Sequence, residues 1–153
     1  MSWRSQSAEA LTFVDTNVLV YAYDVDAGYK HDTARLVLGS LWDARSGAAS
    51  LQVLQEFYVT ATRKVSRPIT KRVARDVIAV YGAWKVHRPD VADIIAASEL
   101  EERHHLSFWD ALVVVAAQRT GARTILTEDL QNGRRFGPVT IVNPFITHGH
   151  PDR

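Results

Sequence analysis

The chain has no cysteine and a single methionine among its 153 residues. The missing thiols exclude disulfide staples, thiolate metal sites and cysteine nucleophiles together, and they suit a reducing cytoplasm. Long hydrophobic runs are missing too. The longest, around LVVVAA, falls far short of the ~20 apolar residues that a bilayer span needs. The opening MSWRSQSAEA holds no apolar stretch of the signal-peptide kind. An excess of one charge is also lacking: 18 Lys and Arg against 17 Asp and Glu leave a formal net charge of +1. Global charge therefore does not mark a nucleic-acid binder, and any electrostatic case rests on local distribution. The expectation is a cytoplasmic, soluble protein with no membrane partner.

What is present describes a globular chain, with 46% hydrophobic and 23% charged residues. The length suits one domain with a real core. The expected organisation is a polar lead-in over residues 1–10, one domain over 11–145 and a polar tail over 146–153. No internal repeat or low-complexity tract interrupts it.

Leu11 to Val14 reads as a short buried strand that stops at Asp15. A short helix from Val18 to Tyr23, capped by Asn17, is expected next, then a helix over His31 to Arg45 and a weak strand over Ala48 to Ser50. Ser50 suits the cap of a helix from Leu51 to Lys64, with Leu54, Phe57, Tyr58, Ala61 and Val65 on one stripe. After Pro68 a helix from Thr70 is expected to turn Val73, Val77, Val80 and Tyr81 inward. Trp84 to His87 reads as a strand. Asp90 caps a helix to His104, with Val91, Ile94 and Ile95 as its apolar contacts. Ser107 caps the most apolar helix, Phe108 to Thr120, which Gly121 stops. Thr124 to Thr127 and Val139 to Val142 complete the strands. Trp42, Tyr58, Trp84 and Trp109 suit either core or interface, and most are expected in the core. Short apolar strands alternating with helices predict an α/β fold, with a mainly parallel sheet covered on both faces. Ligands in such sheets bind beyond the carboxyl ends of the strands.

Four carboxylates stand at the margins of apolar segments: Asp15 after LTFV, Glu56 within SLQVLQEFYVTA, Asp110 opening DALVVVAA, and Asp129 in TILTEDLQNG. An unpaired charge near a core is costly, and no Lys or Arg adjoins Asp15 or Asp110 in sequence. A divalent cation is the natural partner to suspect. Each acid also has a plainer reading. Asp15 suits a turn or a helix cap, Asp110 a capping-box acid, and Glu56 an exposed glutamate. Asp129 and its neighbour Glu128 both suit loop acids. The helix behind Asp110 is apolar all round, which argues that Asp110 does not face bulk water.

Taken together, FVDTNVLVYAYD, LQEFY, LSFWDALVVVAAQRTGA and ILTEDLQNG followed by NPF resemble the PIN-domain family, and within it the VapC-type toxins of toxin–antitoxin pairs. The resemblance spans about residues 11 to 145. It implies a three-layer α/β/α domain with a central, mainly parallel sheet. The family's four acids fall on Asp15, Glu56, Asp110 and Asp129, and its Thr or Ser before the last acid falls on Thr127. The motif ranks Asp129 above Glu128. The resemblance further implies a metal-dependent endoribonuclease with RNA as substrate, an antitoxin covering the cleft, and a homodimer.

Mg²⁺ or Mn²⁺ suits an all-oxygen donor set and takes only one or two carboxylates directly. Asp15 and Asp110 are expected in direct contact, with Glu56 and Asp129 acting through water or holding a second ion, and Thr127 supporting them. An acidic cleft needs a basic rim to hold a phosphate backbone. Arg63, Lys64, Arg67, Lys71, Arg72 and Arg75 form one candidate cluster, and Arg119, Arg123, Arg134 and Arg135 another. The histidines lack zinc spacing: His104 and His105 are adjacent, His31 and His87 isolated, and His148 and His150 in the tail. A phosphoryl-transfer enzyme of the haloacid dehalogenase type would want an acid at position 17, where Asn17 stands. The non-enzymatic alternative is a PIN-like module that binds RNA or a protein without cutting.

Overall fold

A computed structural model of the protein describes residues 10–146. The expected lead-in and tail, with His148 and His150, otherwise lie outside the described residues. A six-stranded sheet forms the centre, in the order β3-β2-β1-β4-β6-β5. Its strands are β1 (Thr12–Val14), β2 (Gly47–Ser50), β3 (Lys85–His87), β4 (Thr124–Leu126), β5 (Arg135–Phe136) and β6 (Val139–Val142). All pairings are parallel except the short β5–β6 pair at one edge. The helices among the described residues are α1 (Thr16–Tyr21), α2 (Tyr29–Ala44), α3 (Leu51–Arg63), α4 (Lys71–Tyr81), α5 (Val91–His104) and α6 (Phe108–Thr120). The expected mainly parallel α/β fold is thus observed. No helix among the described residues is long and apolar enough to cross a membrane.

The chain steps outward from β1 to β2 and β3, then returns to build β4 and β6 on the other side. This reversal leaves a crevice at the carboxyl ends of β1 and β4, the place where open α/β sheets bind ligands. Helix α6 lies along the sheet and touches β2, β3, β4 and β6. Its Ala111, Val113 to Ala117 and Thr120 are all buried, and each fully buried valine contributes about 1.5–3 kcal/mol relative to exposure. Ser107 caps its start through the Asp110 amide, and Gly121, at φ 81°, ends it in the left-handed conformation that glycine tolerates. At the other sheet edge the Trp84 indole lies over Gly47, where any Cβ would collide with the ring.

Three expectations need correction. Asp15, not Asn17, caps α1: its Oδ1 accepts from the Thr16 amide, and the helix starts two residues early. In α4 the buried stripe is Ala74, Val77 and Tyr81, while Val73 and Val80 are exposed. In α5 the buried stripe is Asp93, Ala97 and Leu100, which leaves Val91, Ile94 and Ile95 exposed. The inward turn of Asp93 is made tolerable by His87 and Arg119, both of which contact its carboxylate.

Candidate active site

Strand register builds the crevice. Val14 pairs with Leu126, so the next residues, Asp15 and Thr127, emerge side by side. The Asp15 amide donates to the Leu126 carbonyl (3.0 Å) and the Thr127 amide to the Val142 carbonyl (3.1 Å), fixing both at the sheet's edge. Both carboxylate oxygens of Asp15 accept hydrogen bonds, Oδ1 from the Thr16 amide (2.7 Å) and Oδ2 from Thr127 Oγ1 (2.9 Å). Asp15 is 5% exposed and Thr127 fully buried.

The other acids arrive from different elements. Glu56, one turn and a half into α3, accepts from Thr16 Oγ1 (2.8 Å) and from Gln52 Nε2 (3.2 Å). Asp129 follows β4; Asn17 Nδ2 donates to its Oδ2 at 2.9 Å, and its own amide donates to Thr127 Oγ1 at 3.0 Å. Asp110 sits in the first turn of α6, its amide held by Ser107 Oγ (3.0 Å). A three-residue link joins the end of α6 to β4, so the helix runs back along the sheet and its start lies at the carboxyl end of the strands. Thus the sheet and helices bring all four sequence-predicted acids to one edge.

Electrostatics couples them. Burial pushes the Asp15 carboxyl up to about 6, against its hydrogen bonds to Thr16 and Thr127, and the nearby charges of Asp129 and Glu56 raise it further. Asp110 is raised as well, first by burial and then by the same Asp129 and Glu56. No Lys or Arg among the described residues forms an ion pair with any of the four. The crevice therefore concentrates negative charge without a protein cation to offset it.

Among the described residues no three His, Asp or Glu side chains converge closely enough to hold an ion jointly. That spacing is compatible with a hydrated Mg²⁺ or Mn²⁺, which needs one or two carboxylates and fills its remaining positions with water. The donor set, all oxygen and short of positive charge, has the matching chemistry.

Thr16 and Asn17 escaped the sequence reading as site residues, although both tie acids together. Their signal was the DTN triplet, whose polar pair directly follows an acid at a strand end. Glu128 points elsewhere. Its carboxylate binds Lys30 Nζ (2.7 Å) and the Tyr21 hydroxyl, and Lys30 lies over the Tyr21 and Phe145 rings. The Glu128 bond is the main reason the Lys30 ammonium is held above its ordinary range.

The basic rim is only partly assembled. Arg63 and Lys64 are exposed at the end of α3, and Arg67 is paired with Asp26 (3.5 Å). Arg134 and Arg135 belong to a different end of the sheet. Arg135 pairs with Thr140, which pairs with Thr124 at the start of β4, away from the acids. Arg134 donates to the His104 carbonyl (2.9 Å) and stacks on Phe136. The structure does not bring these two arginines to the acidic crevice.

The acids thus stand at the switch point of a mainly parallel α/β sheet, where this class of fold binds its ligands. The chain belongs to the PIN-domain family, whose model matches residues 12–134. It is similar to a chain of a Klebsiella pneumoniae toxin–antitoxin complex, with a TM-score of 0.65 and 19% identity over 88% of this chain and 98% of that one. It is also similar to VapC20 of Mycobacterium tuberculosis, a toxin that cleaves the sarcin–ricin loop (TM-score 0.61, 22% identity, 77% of this chain and 89% of that one). A third likeness is to VapBC2 of Rickettsia felis, bound to a fragment of promoter DNA (TM-score 0.58, 17% identity, 86% and 96%). At these identities the likeness establishes a shared fold. Comparison with curated protein sequences finds no match.

Proposed function

We propose that the chain is a metal-dependent endoribonuclease of the VapC toxin type, hydrolysing RNA phosphodiesters at Asp15, Glu56, Asp110 and Asp129. The observation that carries this reading is Asp15, a buried carboxylate held at both oxygens, flanked by acids and without a protein cation. Membership of the PIN family and the likeness to toxin structures, one of them a toxin that cleaves the sarcin–ricin loop, support it.

Asp15 and Asp110 would hold Mg²⁺ or Mn²⁺ directly, with Glu56 and Asp129 acting through water or at a second ion. When bound, the metal supplies an activated water and neutralises charge on the phosphate. Thr127 fixes the orientation of Asp15, Thr16 that of Glu56, and Asn17 that of Asp129. Arg63 and Lys64 are the basic groups proposed to hold the RNA backbone. An antitoxin covering the crevice, a homodimer and a cytoplasmic setting complete the proposal.

Cleavage of a structured RNA pool tests it, with Mg²⁺ or Mn²⁺ against EDTA and wild type against Asp15→Ala. Metal-dependent cutting that the variant loses supports the reading. Equal cutting by both proteins places the activity elsewhere. RNA binding without cutting by wild type favours a non-catalytic module.

A further inference from the structure

Beside the acids lies a second cavity, about 460 Å³ in volume, that the chemistry above does not use. Trp109 and Leu112 on α6 form one wall and Val91 and Ile94 on α5 another, with Gln52 and Gln55 of α3 across from them. Trp109 is 64% exposed. Its state contrasts with Trp42 and Trp84, which pack against each other and against Tyr81. Exposing an indole, a valine and an isoleucine around one hollow is costly unless something is meant to cover them.

Two residues that line the hollow adjoin the acids. Trp109 directly precedes Asp110 in the first turn of α6, and Gln52, on the opposite wall, hydrogen-bonds Glu56. A chain lying across the acids is thereby brought within reach of the indole. The lining is mixed: apolar walls face side-chain amides, while the Asp93 carboxylate on the floor is engaged by His87 and Arg119. A nucleobase matches this combination, because it offers a flat apolar face for stacking and a polar edge for amide hydrogen bonds. A phosphate does not, since no unpaired cation faces it.

We propose that this hollow takes one unstacked base of single-stranded RNA, stacked on Trp109, next to the phosphate held at the acids. The Gln52 and Gln55 amides meet the edge of the base. Trp109 is then a base-binding residue, and the hollow a determinant of which position is cut. The inference rests on the ribonuclease reading above.

Binding isolates it from cleavage. Fluorescence anisotropy in Ca²⁺, an oxygen-seeking ion offered to the acids in place of Mg²⁺, would follow a short single-stranded RNA on wild type, Trp109→Phe and Trp109→Ala, and on a set of RNAs carrying one abasic position each. Trp109→Ala is expected to weaken binding about tenfold, on the scale of one base–aromatic stack, and Trp109→Phe to retain most of it. One abasic position should cost wild type a similar factor and cost Trp109→Ala almost nothing. If wild type binds RNA but Trp109→Ala binds equally, or no abasic position couples to Trp109, the base-stacking inference fails while the ribonuclease reading stands. If wild type binds no RNA, the ribonuclease reading fails and takes the inference with it. Sedimentation of the same variants provides a further check. Loss of an oligomer in Trp109→Ala would assign the hollow to a protein interface and overturn the inference.

Discussion

Thr127 Oγ1 stands 2.9 Å from Asp15 Oδ2 and gives it its only proton, because the hydroxyl's lone pairs are already engaged. Asn17 Nδ2 approaches it at 3.2 Å and the Asp129 amide at 3.0 Å, both as donors. One buried hydroxyl thereby fixes the orientation of two acids from neighbouring strands. Thr127→Val keeps the shape but leaves two donors and a carboxylate oxygen unmatched. The expected loss of stability is about 1–3 kcal/mol, read by urea denaturation, together with a fall in RNA cleavage. Thr127→Ser should restore most of both.

Asp15 makes the metal-free protein sensitive to pH. Its carboxyl is raised from 3.8 to about 6 in the folded chain, so the folded state binds the proton more tightly than the unfolded state. The contribution is fully present below pH ~4 and is lost as pH rises through about 6. The size is about 3 kcal/mol at most. Denaturant titrations in EDTA from pH 4 to 7.5 should show stability falling across this window, and Asp15→Asn should flatten the curve.

A bound cation reverses that penalty. Mg²⁺ or Mn²⁺ at millimolar concentration is expected to raise the melting temperature at pH 7.5, and to do so less at pH 5, where protons compete for Asp15. Asp110→Asn should remove most of the response. A wild-type melting curve indifferent to both ions at pH 7.5 would contradict the proposed metal site.

The neighbouring acids Glu128 and Asp129 have different partners and are expected to differ in function. Glu128 is bound to Lys30, a pair whose side chains are 21% and 31% exposed, so breaking it costs about 1 kcal/mol or less. Glu128→Gln should retain most RNA cleavage, whereas Asp129→Asn should lose it. The reverse order of activities would reassign the fourth acid.

Much of this was legible in the chain. Ser50, Thr70, Asp90 and Ser107 each announce a helix start, and in the structure each side chain accepts from the amide three residues on. The apolar strands ending at Asp15 and before Thr127 mark the sheet edge where the acids gather. Less was legible where partners are distant. In VADIIAASELEERH the apolar residues Val91, Ile94 and Ile95 outcompete Asp93 as core candidates, yet Asp93 goes inward because His87 and Arg119 meet it there. Those partners lie on β3 and α6, beyond any local pattern. The α4 stripe differs from the expected one, with Val73 and Val80 outside and Ala74 inside, for a related reason. Val73 precedes Ala74, and only the packed neighbours choose the smaller side chain for the inside. Strand β5 has two residues, too few for a periodic signal. Arg134 and Arg135 therefore read as candidates for the basic rim, although one is pinned to His104. Glu128 and Asp129 are indistinguishable by type, and Lys30, distant in sequence, separates them.

The unity of the acidic site is tested most directly by single-turnover RNA cleavage in Mn²⁺, comparing Asp15→Asn, Asp110→Asn and the double variant. If both carboxylates serve one metal centre, each single change should slow cleavage at least about a hundredfold, and the double variant should be little slower than either. Wild-type rates in either single variant, or cleavage that persists unchanged in EDTA, would contradict it.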